Sequence, residues 1–216
     1  MRLIHQPSAP GIPPPSTQPN LALPMLCEKA LSSHLLCIAP LIWALSSLRQ
    51  TLTMPPMNFR EKLISLERLP AWRNELAARG QRLVVTNGCF DLLHLGHVTY
   101  LEAARNLGDA LLVGVNGDDS VRGLKGQGRP LNRETERAAI VAALESVTAV
   151  CIFPEVTALQ FLSIARPDIY VKGGDYNLGT INQEERRLVE SMGGKVVVIG
   201  GVPGCSTTAL LDKLSG

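Results

Sequence analysis

The sequence has few of the features that mark nucleic-acid-binding, secreted or membrane proteins. Aromatic residues make up only 4% of its 216 residues, so stacking surfaces for single-stranded nucleic acid are scarce. The net charge of +2 is too small to indicate a broad surface for nucleic acid or anionic lipid. The apolar run at residues 35–45 is about half the ~20 residues that cross a bilayer, and Pro40 interrupts it. These absences predict a cytoplasmic protein with neither nucleic acid nor membrane as a partner.

Cysteine is sparse and irregularly placed. The five cysteines are odd in number and form no C-x-x-C pair, so neither a disulfide framework nor a zinc site is indicated. Cys89 and Cys205 fall inside the motifs described below, where we interpret them as small residues in tight turns rather than as nucleophiles. The pattern is typical of a protein from a reducing compartment.

The first 56 residues differ from the rest of the chain. Seven prolines occur by residue 24 without apolar periodicity, which predicts an irregular, disordered extension. Met54 and Met57 stand just before the pattern becomes regular. We therefore interpret residues 1–56 as a mis-called start or a dispensable extension, and predict one domain over residues 57–216.

Five apolar runs alternate with helical patterns from residue 58 onward. The runs, at residues 83–86, 110–115, 149–153, 169–172 and 195–199, are continuous, as in parallel strands buried on both faces. Helices are predicted at residues 59–69, 71–79, 97–107, 132–144, 156–165, 182–192 and 209–214. Pro70 separates the first two, Asn132 and Asn182 are predicted N-caps, and residues 116–131 form one long irregular loop. The alternation predicts a Rossmann-like α/β fold: a doubly wound, five-stranded, mostly parallel sheet with helices on both faces and ligands at the carboxyl ends of its strands.

The strongest functional signal is T-N-G-C-F-D-L-L-H-L-G-H at residues 86–97, where the first strand passes into a helix. His94 and His97 are three residues apart, so both rings lie on one face of a helical turn. Gly88 and Gly96 leave room for a ligand, and the free N–H groups of a helix start attract anions. A zinc pair is disfavoured, because its spacing is usually four residues and the other two histidines lie in the irregular extension. The segment predicts a phosphate site.

Three further motifs are expected at the same edge of the sheet. V-K-G-G-D-Y, residues 171–176, follows the fourth strand, where its glycines can admit a flat base or a ribose. G-C-S-T-T, residues 204–208, follows the fifth; one hydroxyl suffices to cap a helix, so a run of three predicts an anion site. Lys125, in L-K-G at residues 124–126, lies in the long loop and can close over a triphosphate.

Together these motifs resemble those of the cytidylyltransferase-like nucleotidyltransferase superfamily, whose H-x-G-H histidines hold nucleotide phosphates. In order and spacing, T-N-G-C-F-D-x-L-H-x-G-H, L-K-G-x-x-R-P-x-N, V-K-G-G-D-Y and G-C-S-T-T are similar to the nucleotidyltransferases of bacterial ADP-heptose synthesis, over residues 59–214. The resemblance implies AMP transfer from ATP to D-glycero-β-D-manno-heptose 1-phosphate, giving ADP-heptose for lipopolysaccharide core biosynthesis and pyrophosphate. No sugar kinase precedes the domain here, so the free-standing form of the enzyme is expected.

The resemblance also assigns roles to individual residues. Those expected to act on the phosphate chain are His94, His97, Lys125 and Thr207. Those expected to bind the nucleotide are Thr86, Asn87, Gly88, Cys89, Phe90, Asp91, Gly96, Arg137, Lys172, Gly173, Gly174, Asp175, Tyr176, Ser206 and Thr208. Mg²⁺ is expected on the phosphates of ATP, with no metal site in the protein. The expected partners are ATP and a sugar phosphate, and a homodimer is one expected state by analogy with the superfamily.

Two alternatives stay open. A cytidylyltransferase of the same superfamily would use CTP with a glycerol- or ethanolamine-type phosphate; against its glycerol-3-phosphate subgroup, residues 200–203 read G-G-V-P where that subgroup has an arginine. A non-catalytic nucleotide sensor would be expected to lose one histidine or the hydroxyl run, and this sequence keeps both. An assay that pairs ATP and CTP with different acceptors separates the enzymatic alternatives.

Overall fold

The structure is a computed structural model that describes residues 58–174, 177–205 and 207–215. The expected extension, residues 1–56, lies outside these ranges, and so do Asp175, Tyr176 and Ser206 of the predicted site. The strands within these ranges are β1 (Leu83–Gly88), β2 (Ala110–Asn116), β3 (Ala149–Phe153), β4 (Ile169–Gly174) and β5 (Lys195–Gly200). The α-helices are α1 (Leu69–Ala78), α2 (Leu95–Arg105), α3 (Asp118–Lys125), α4 (Glu134–Ala142), α5 (Leu159–Ala165), α6 (Gln183–Ser191) and α7 (Thr207–Ser215). None of the helices in this part of the chain is long and apolar enough to cross a bilayer.

The strands form a single sheet in the order β3-β2-β1-β4-β5, and every neighbouring pair is parallel. β1 lies at the centre of the sheet, and β2 and β3 follow outward on one side. The chain then crosses to β4 and β5 on the other side. β1 and β4 are therefore neighbours at the point where the strand order reverses, which is where such sheets bind ligands. The predicted doubly wound sheet is confirmed, and four of the five predicted strands extend one or two residues further at their carboxyl ends.

Apolar side chains cover both faces of the sheet. One core cluster lies between the sheet and α1, α5 and α6 and includes Phe161 and Val189. The other lies between the sheet and α2 and α4 and includes Leu101 and Val141. Since side chains alternate along a strand, two such faces explain why the apolar runs are continuous: every residue of β2 is buried.

The predicted irregular loop at residues 116–131 was wrong in its first half, because α3 occupies Asp118–Lys125. Asp118 and Asp119 lie in its first turn and Arg122 and Lys125 in its last, an arrangement that complements the helix dipole. Val121 is its one buried apolar side chain, so the helix has almost no apolar stripe for a periodicity search to find.

Several predicted helix starts also differ by two or three residues. Residues 59–68 form a short 3-10 helix, Phe59–Lys62, followed by an isolated bridge at Leu63 and a turn at residues 66–68. Pro70 stands within the first turn of α1, where its missing N–H leaves no bond unmade. Asn132 does not cap α4; its side chain donates instead to the carbonyl of Asp91. Asn182 caps α6 as predicted, because its side chain accepts from two backbone N–H groups of the first turn.

Gly114 in β2 offers a test of this packing. A Cβ atom there would lie 2.6 Å from Cε1 of Phe161, whose ring is fully buried and stacked on Phe153. We predict that Gly114→Ala lowers the free energy of unfolding by about 1–3 kcal/mol, the usual effect of overpacking a core. Urea denaturation monitored by circular dichroism measures this change.

The matched control is Gly123→Ala in α3, where a new Cβ would meet only Cγ2 of Val156 at 3.9 Å. Alanine is the better helix former, so this variant should be as stable as the parent or up to ~1 kcal/mol more stable. Equal stability of the two variants would contradict the packing described for β2.

Candidate nucleotide-binding and active site

A cavity of about 520 Å³ lies at the carboxyl ends of the strands, at the switch point between β1 and β4. Its volume is in the range of ordinary small-molecule sites. It brings together residues from all four predicted motifs: Asn87, Gly88, Cys89, Phe90, Asp91, His94, Gly96, His97, Lys125, Lys172, Gly173, Gly174 and Thr207. Side chains from four separate segments therefore face one space, as the sequence predicted.

The two histidines stand at the start of α2. His94 is the N-cap residue and His97 follows in the first turn, with ring centroids 3.9 Å apart. Nδ1 of each ring is buried and has no hydrogen-bond partner among the described residues. A buried polar nitrogen without a partner is uncommon, and here both nitrogens belong to residues that line the same cavity. Such unmade hydrogen bonds are typical of functional sites.

The environment of the histidine pair keeps both rings neutral. Burial lowers the pKa of His94. The pKa of His97 falls from 6.5 to about 4, chiefly through burial and further because a second proton on the pair would be repelled by a protonated His94 and by the charge of Lys125. A polyphosphate in the cavity would reverse these effects, because negative charge nearby favours the imidazolium form.

Gly96 allows the second phosphate motif to approach the first. A Cβ on Gly96 would lie 3.0 Å from the His94 ring and 3.2 Å from Cβ of Cys205. The turn that contains Cys205 therefore lies directly against the first turn of α2, and Thr207 begins α7 beside it. Two helix N-termini, each with free N–H groups and a positive dipole end, meet at the same cavity.

The hydroxyl run is only partly at the cavity. Thr207 lines it, Thr208 is exposed and is not among the lining residues, and Ser206 lies outside the described residues. Asp175 and Tyr176 of the third motif also lie outside the described residues. The prediction that Thr208 contacts the nucleotide does not agree with its position, because in a helix successive side chains point about 100° apart and only one of two neighbours faces the cavity.

Phe90 packs against the ring of His97. Its backbone has a φ of 47°, which is unusual for a bulky residue and costs of order 1–3 kcal/mol. In this conformation its buried ring packs 5.4 Å from the ring of His97. A Cβ at Gly88 would lie 3.1 Å from the same phenyl ring, so the small residue is needed there for protein packing.

Arg137 was predicted to bind the nucleotide, and this was wrong: its side chain is fully buried. The guanidinium donates to the carbonyls of Cys89, Asn116 and Asn132 and to the carboxylate of Asp118. It therefore joins the H-x-G-H loop to the end of β2 and to the loop before α4. Each of its three nitrogens donates to an acceptor of the described residues, and Arg137 is not among the residues that line the cavity.

Asp91 has a similar structural role, although it lies at the edge of the cavity. Its carboxylate accepts from Arg129 at 2.6 Å and from the backbone N–H groups of Leu131 and Asn132 at 2.8 and 3.1 Å. The residue is 3% exposed. Asp91 thus fixes the segment after Lys125, and its oxygens are not available to a nucleotide.

Thr86 is also buried and does not reach the cavity, contrary to the prediction. Its hydroxyl bonds to that of Tyr100 at 2.6 Å, and Tyr100 donates to the carbonyl of Val171. A Cβ on Gly173 would lie 2.4 Å from the Tyr100 ring, so this glycine accommodates tyrosine packing. Tyr100 was missed by the sequence analysis, though it lies three residues after His97 on the same helix face.

Lys125 is the last residue of α3, and its side chain is exposed. It lines the rim of the cavity, where the sequence predicted it. The helix stops at Gly126, whose φ of 88° is easily reached only by glycine. A second polar group, the ion pair of Lys172 with Glu185 of α6, also lines the cavity. The sequence analysis did not identify Glu185 as a site residue. Within the described part of the chain, no group of three histidine, cysteine or acidic side chains is placed to hold a metal ion.

A five-stranded parallel α/β sheet with a histidine-lined cavity at its switch point is typical of a nucleotidyltransferase fold. The chain belongs to the cytidylyltransferase-like family, whose model matches residues 85–210. This match confirms the family and the enzyme class that the sequence predicted.

Individual proteins agree with this assignment. "Bifunctional protein HldE" of Methylobacillus flagellatus is 50% identical over 150 residues, which cover 69% of this chain and 30% of that protein. The protein of the same name from Citrifermentans bemidjiense is 52% identical over 138 residues, 63% of this chain and 28% of its own. The chain thus matches under a third of the length of these relatives. The structure of pantoate-beta-alanine ligase from Francisella tularensis has a TM-score of 0.50 at 15% identity, covering 71% of this chain and 76% of that one, and shares the fold.

The histidine pair generates a pH prediction. With a pKa of about 4 in the free protein and 6.5 when unfolded, His97 binds more protons in the unfolded state between these pH values. The free energy of unfolding should therefore fall as the pH is lowered from 6.5 to 4. Saturation with ATP should raise the pKa of His97 and reduce that fall.

NMR titration of the imidazole Cε1–H signals measures this directly, with His97→Asn identifying the signal. We expect a midpoint near 4 without nucleotide and a higher one with it. A midpoint near 6.5 that ATP does not move would contradict the phosphate-binding role of the pair.

Proposed function

We propose that this protein is a cytoplasmic adenylyltransferase that transfers AMP from ATP to D-glycero-β-D-manno-heptose 1-phosphate, giving ADP-heptose and pyrophosphate for lipopolysaccharide core biosynthesis. The observation that carries the proposal is the pair of neutral, unpartnered imidazoles between two helix N-termini. The motifs similar to ADP-heptose synthesis enzymes, and relatives named HldE at about 50% identity, support the choice of substrates.

The phosphate chain of ATP would lie along the α2 side of the cavity. His94 and His97 would hold the β- and α-phosphates, and Thr207 with the start of α7 would hold the departing pyrophosphate. Lys125, on the rim, would neutralise charge that develops on the α-phosphate. Mg²⁺ would be carried by the phosphates of ATP, with no step assigned to a protein ligand.

An oxygen of the sugar phosphate would attack the α-phosphorus in line, forming the new P–O bond as the bond to pyrophosphate breaks. The attacking group is already an anion at neutral pH, so no general base is needed. Catalysis then depends on positioning and on stabilising charge. The cavity supplies both, because its donors stand on rigid helix starts and strand ends rather than on long loops.

A pyrophosphate-release assay tests the substrates. ATP and CTP are each paired with heptose 1-phosphate and with glycerol 3-phosphate. We expect turnover for ATP with heptose 1-phosphate to exceed every other pairing. Preference for CTP with glycerol 3-phosphate would assign the chain to the alternative cytidylyltransferase reaction, and nucleotide binding without turnover of any pair would indicate a sensor.

Two substitutions test the assigned roles. His97→Ala and Lys125→Ala should each lower kcat about 10²–10³-fold, the usual effect of losing one charge-stabilising donor (~2.7–4 kcal/mol). Lys195→Ala is the matched control, since Lys195 is exposed at the opposite, amino end of the sheet. Thermal melts establish folding; near-parental turnover in a folded His97→Ala protein would refute its role.

A further inference from the structure

A second polar wall faces the cavity from the side opposite the histidine pair. It consists of Asn87, Tyr170, Lys172 and Glu185, which we call the lysine wall. Nζ of Lys172 lies 2.8 Å from Oδ1 of Asn87 and 3.3 Å from Oε2 of Glu185. The Tyr170 hydroxyl lies 2.7 Å from the same two oxygens, and Glu185 also accepts from the N–H of Ala158.

The lysine wall belongs to the other face of the sheet. Tyr170 packs in the core cluster beneath α5 and α6, and Lys172, two residues along β4, points to the same face. Asn87 shares that face with Val85, whereas Thr86 bonds to Tyr100 on the α2 side. The two walls therefore stand on opposite faces and meet only at the open carboxyl edge.

The hydrogen bonds within the wall decide which groups it presents to a ligand. Oδ1 of Asn87 accepts from the ammonium of Lys172, which turns the amide NH₂ group away from the lysine, and that group has no partner among the described residues. The ammonium of Lys172 has three protons and two oxygen acceptors in the described part of the chain. Both residues line the cavity, so the wall offers it hydrogen-bond donors.

The charge of the wall differs from that of the histidine side. Lys172 is paired with Glu185, so the wall has no net charge, and burial further lowers the pKa of the lysine. The phosphate side combines two helix N-termini with Lys125, and the one carboxylate that lines it among the described residues, Asp91, is bonded to Arg129 and to two backbone N–H groups. A neutral wall of donors suits hydroxyl groups, whereas an excess of positive charge suits phosphate.

The geometry of in-line transfer determines which substrate can lie against the lysine wall. In an in-line transfer the acceptor approaches the α-phosphorus from the side opposite the leaving pyrophosphate. Because the pyrophosphate would be held at the α2 and α7 side, the acceptor enters along the opposite side of the cavity. Building on the proposed function, we infer that the lysine wall binds hydroxyl groups of the sugar part of the acceptor, and that Lys172 and Asn87 are the donors, in place of the nucleotide contact expected for both residues from the sequence.

The test separates acceptor from nucleotide. Lys172→Met should raise KM for the acceptor about 10–100-fold, as expected for loss of a hydrogen bond to a charged group (~1.5–3 kcal/mol), while the Kd for Mg-ATP stays within about twofold of the parent. Isothermal titration calorimetry gives the Kd without turnover. Lys195→Met is the matched control and should change neither quantity.

A second readout uses the acceptor itself. The parent enzyme should prefer a hydroxylated sugar phosphate over its deoxy analogues, and Lys172→Met should lose that preference for the hydroxyl that the lysine contacts. The double variant Lys172→Met/Glu185→Gln removes both charges of the pair. It should show the same rise in KM and the same loss of preference as Lys172→Met, which would show that these effects do not come from leaving the Glu185 carboxylate buried and unpaired. It also provides the measurement where the single variant does not fold.

Weakened ATP binding with an unchanged acceptor KM and unchanged deoxy preference would overturn the inference and place the wall in the nucleoside site. Failure of the proposed function is distinct, because it appears in the parent enzyme as a preference for another substrate pair. The same KM and Kd comparison then applies to whichever acceptor the parent enzyme uses.

Discussion

The geometry of the site depends on one buried charge. The Arg137 guanidinium, without any exposed surface, joins the H-x-G-H loop, the end of β2 and the loop before α4. Its charge is balanced by Asp118 in the first turn of α3, the helix that ends at Lys125. Removing one partner of such a pair typically costs ~3–5 kcal/mol, because the other charge is left buried and alone. The loops that line the cavity are therefore tied to the core of the domain as well as to the sheet.

Two features of the residues around the cavity lower the stability of the folded protein. Two imidazoles have buried nitrogens without partners in the described part of the chain, and Phe90 adopts a backbone conformation rare for its type. Unmade hydrogen bonds and strained backbone lower stability and persist where the surroundings enforce them, commonly at functional sites. Here the enforcing contacts are the Arg137 and Asp91 bonds described above. An anion that accepts from the imidazoles would recover part of the lost stability on binding.

The sequence predicted the sheet and the cavity well and the supporting contacts poorly, for physical reasons. Strands buried on both faces give continuous apolar runs, so all five were found, and ligands bind where such strands end. α3 was not predicted, because it has one buried apolar side chain and therefore no apolar periodicity to detect. Arg137 was assigned to the ligand from the family resemblance, which does not show whether the side chain is buried, and Glu185 resembled an ordinary surface residue of α6. Burial of a charge depends on partners far away in sequence, which no local pattern reveals.

The two sides of the cavity differ because they come from different faces of one sheet. The phosphate side is built from helix starts and imidazoles, which recognise a group common to every nucleotide. The lysine wall is built from strand-end and α6 side chains whose charges cancel, so its selectivity depends on where its donors stand. Under the proposed assignment, substitutions at the lysine wall would alter acceptor binding more than triphosphate binding, because the sheet separates the two packing clusters. One fold can thus retain its chemistry while its acceptor changes, which is the expected behaviour of a site at a switch point.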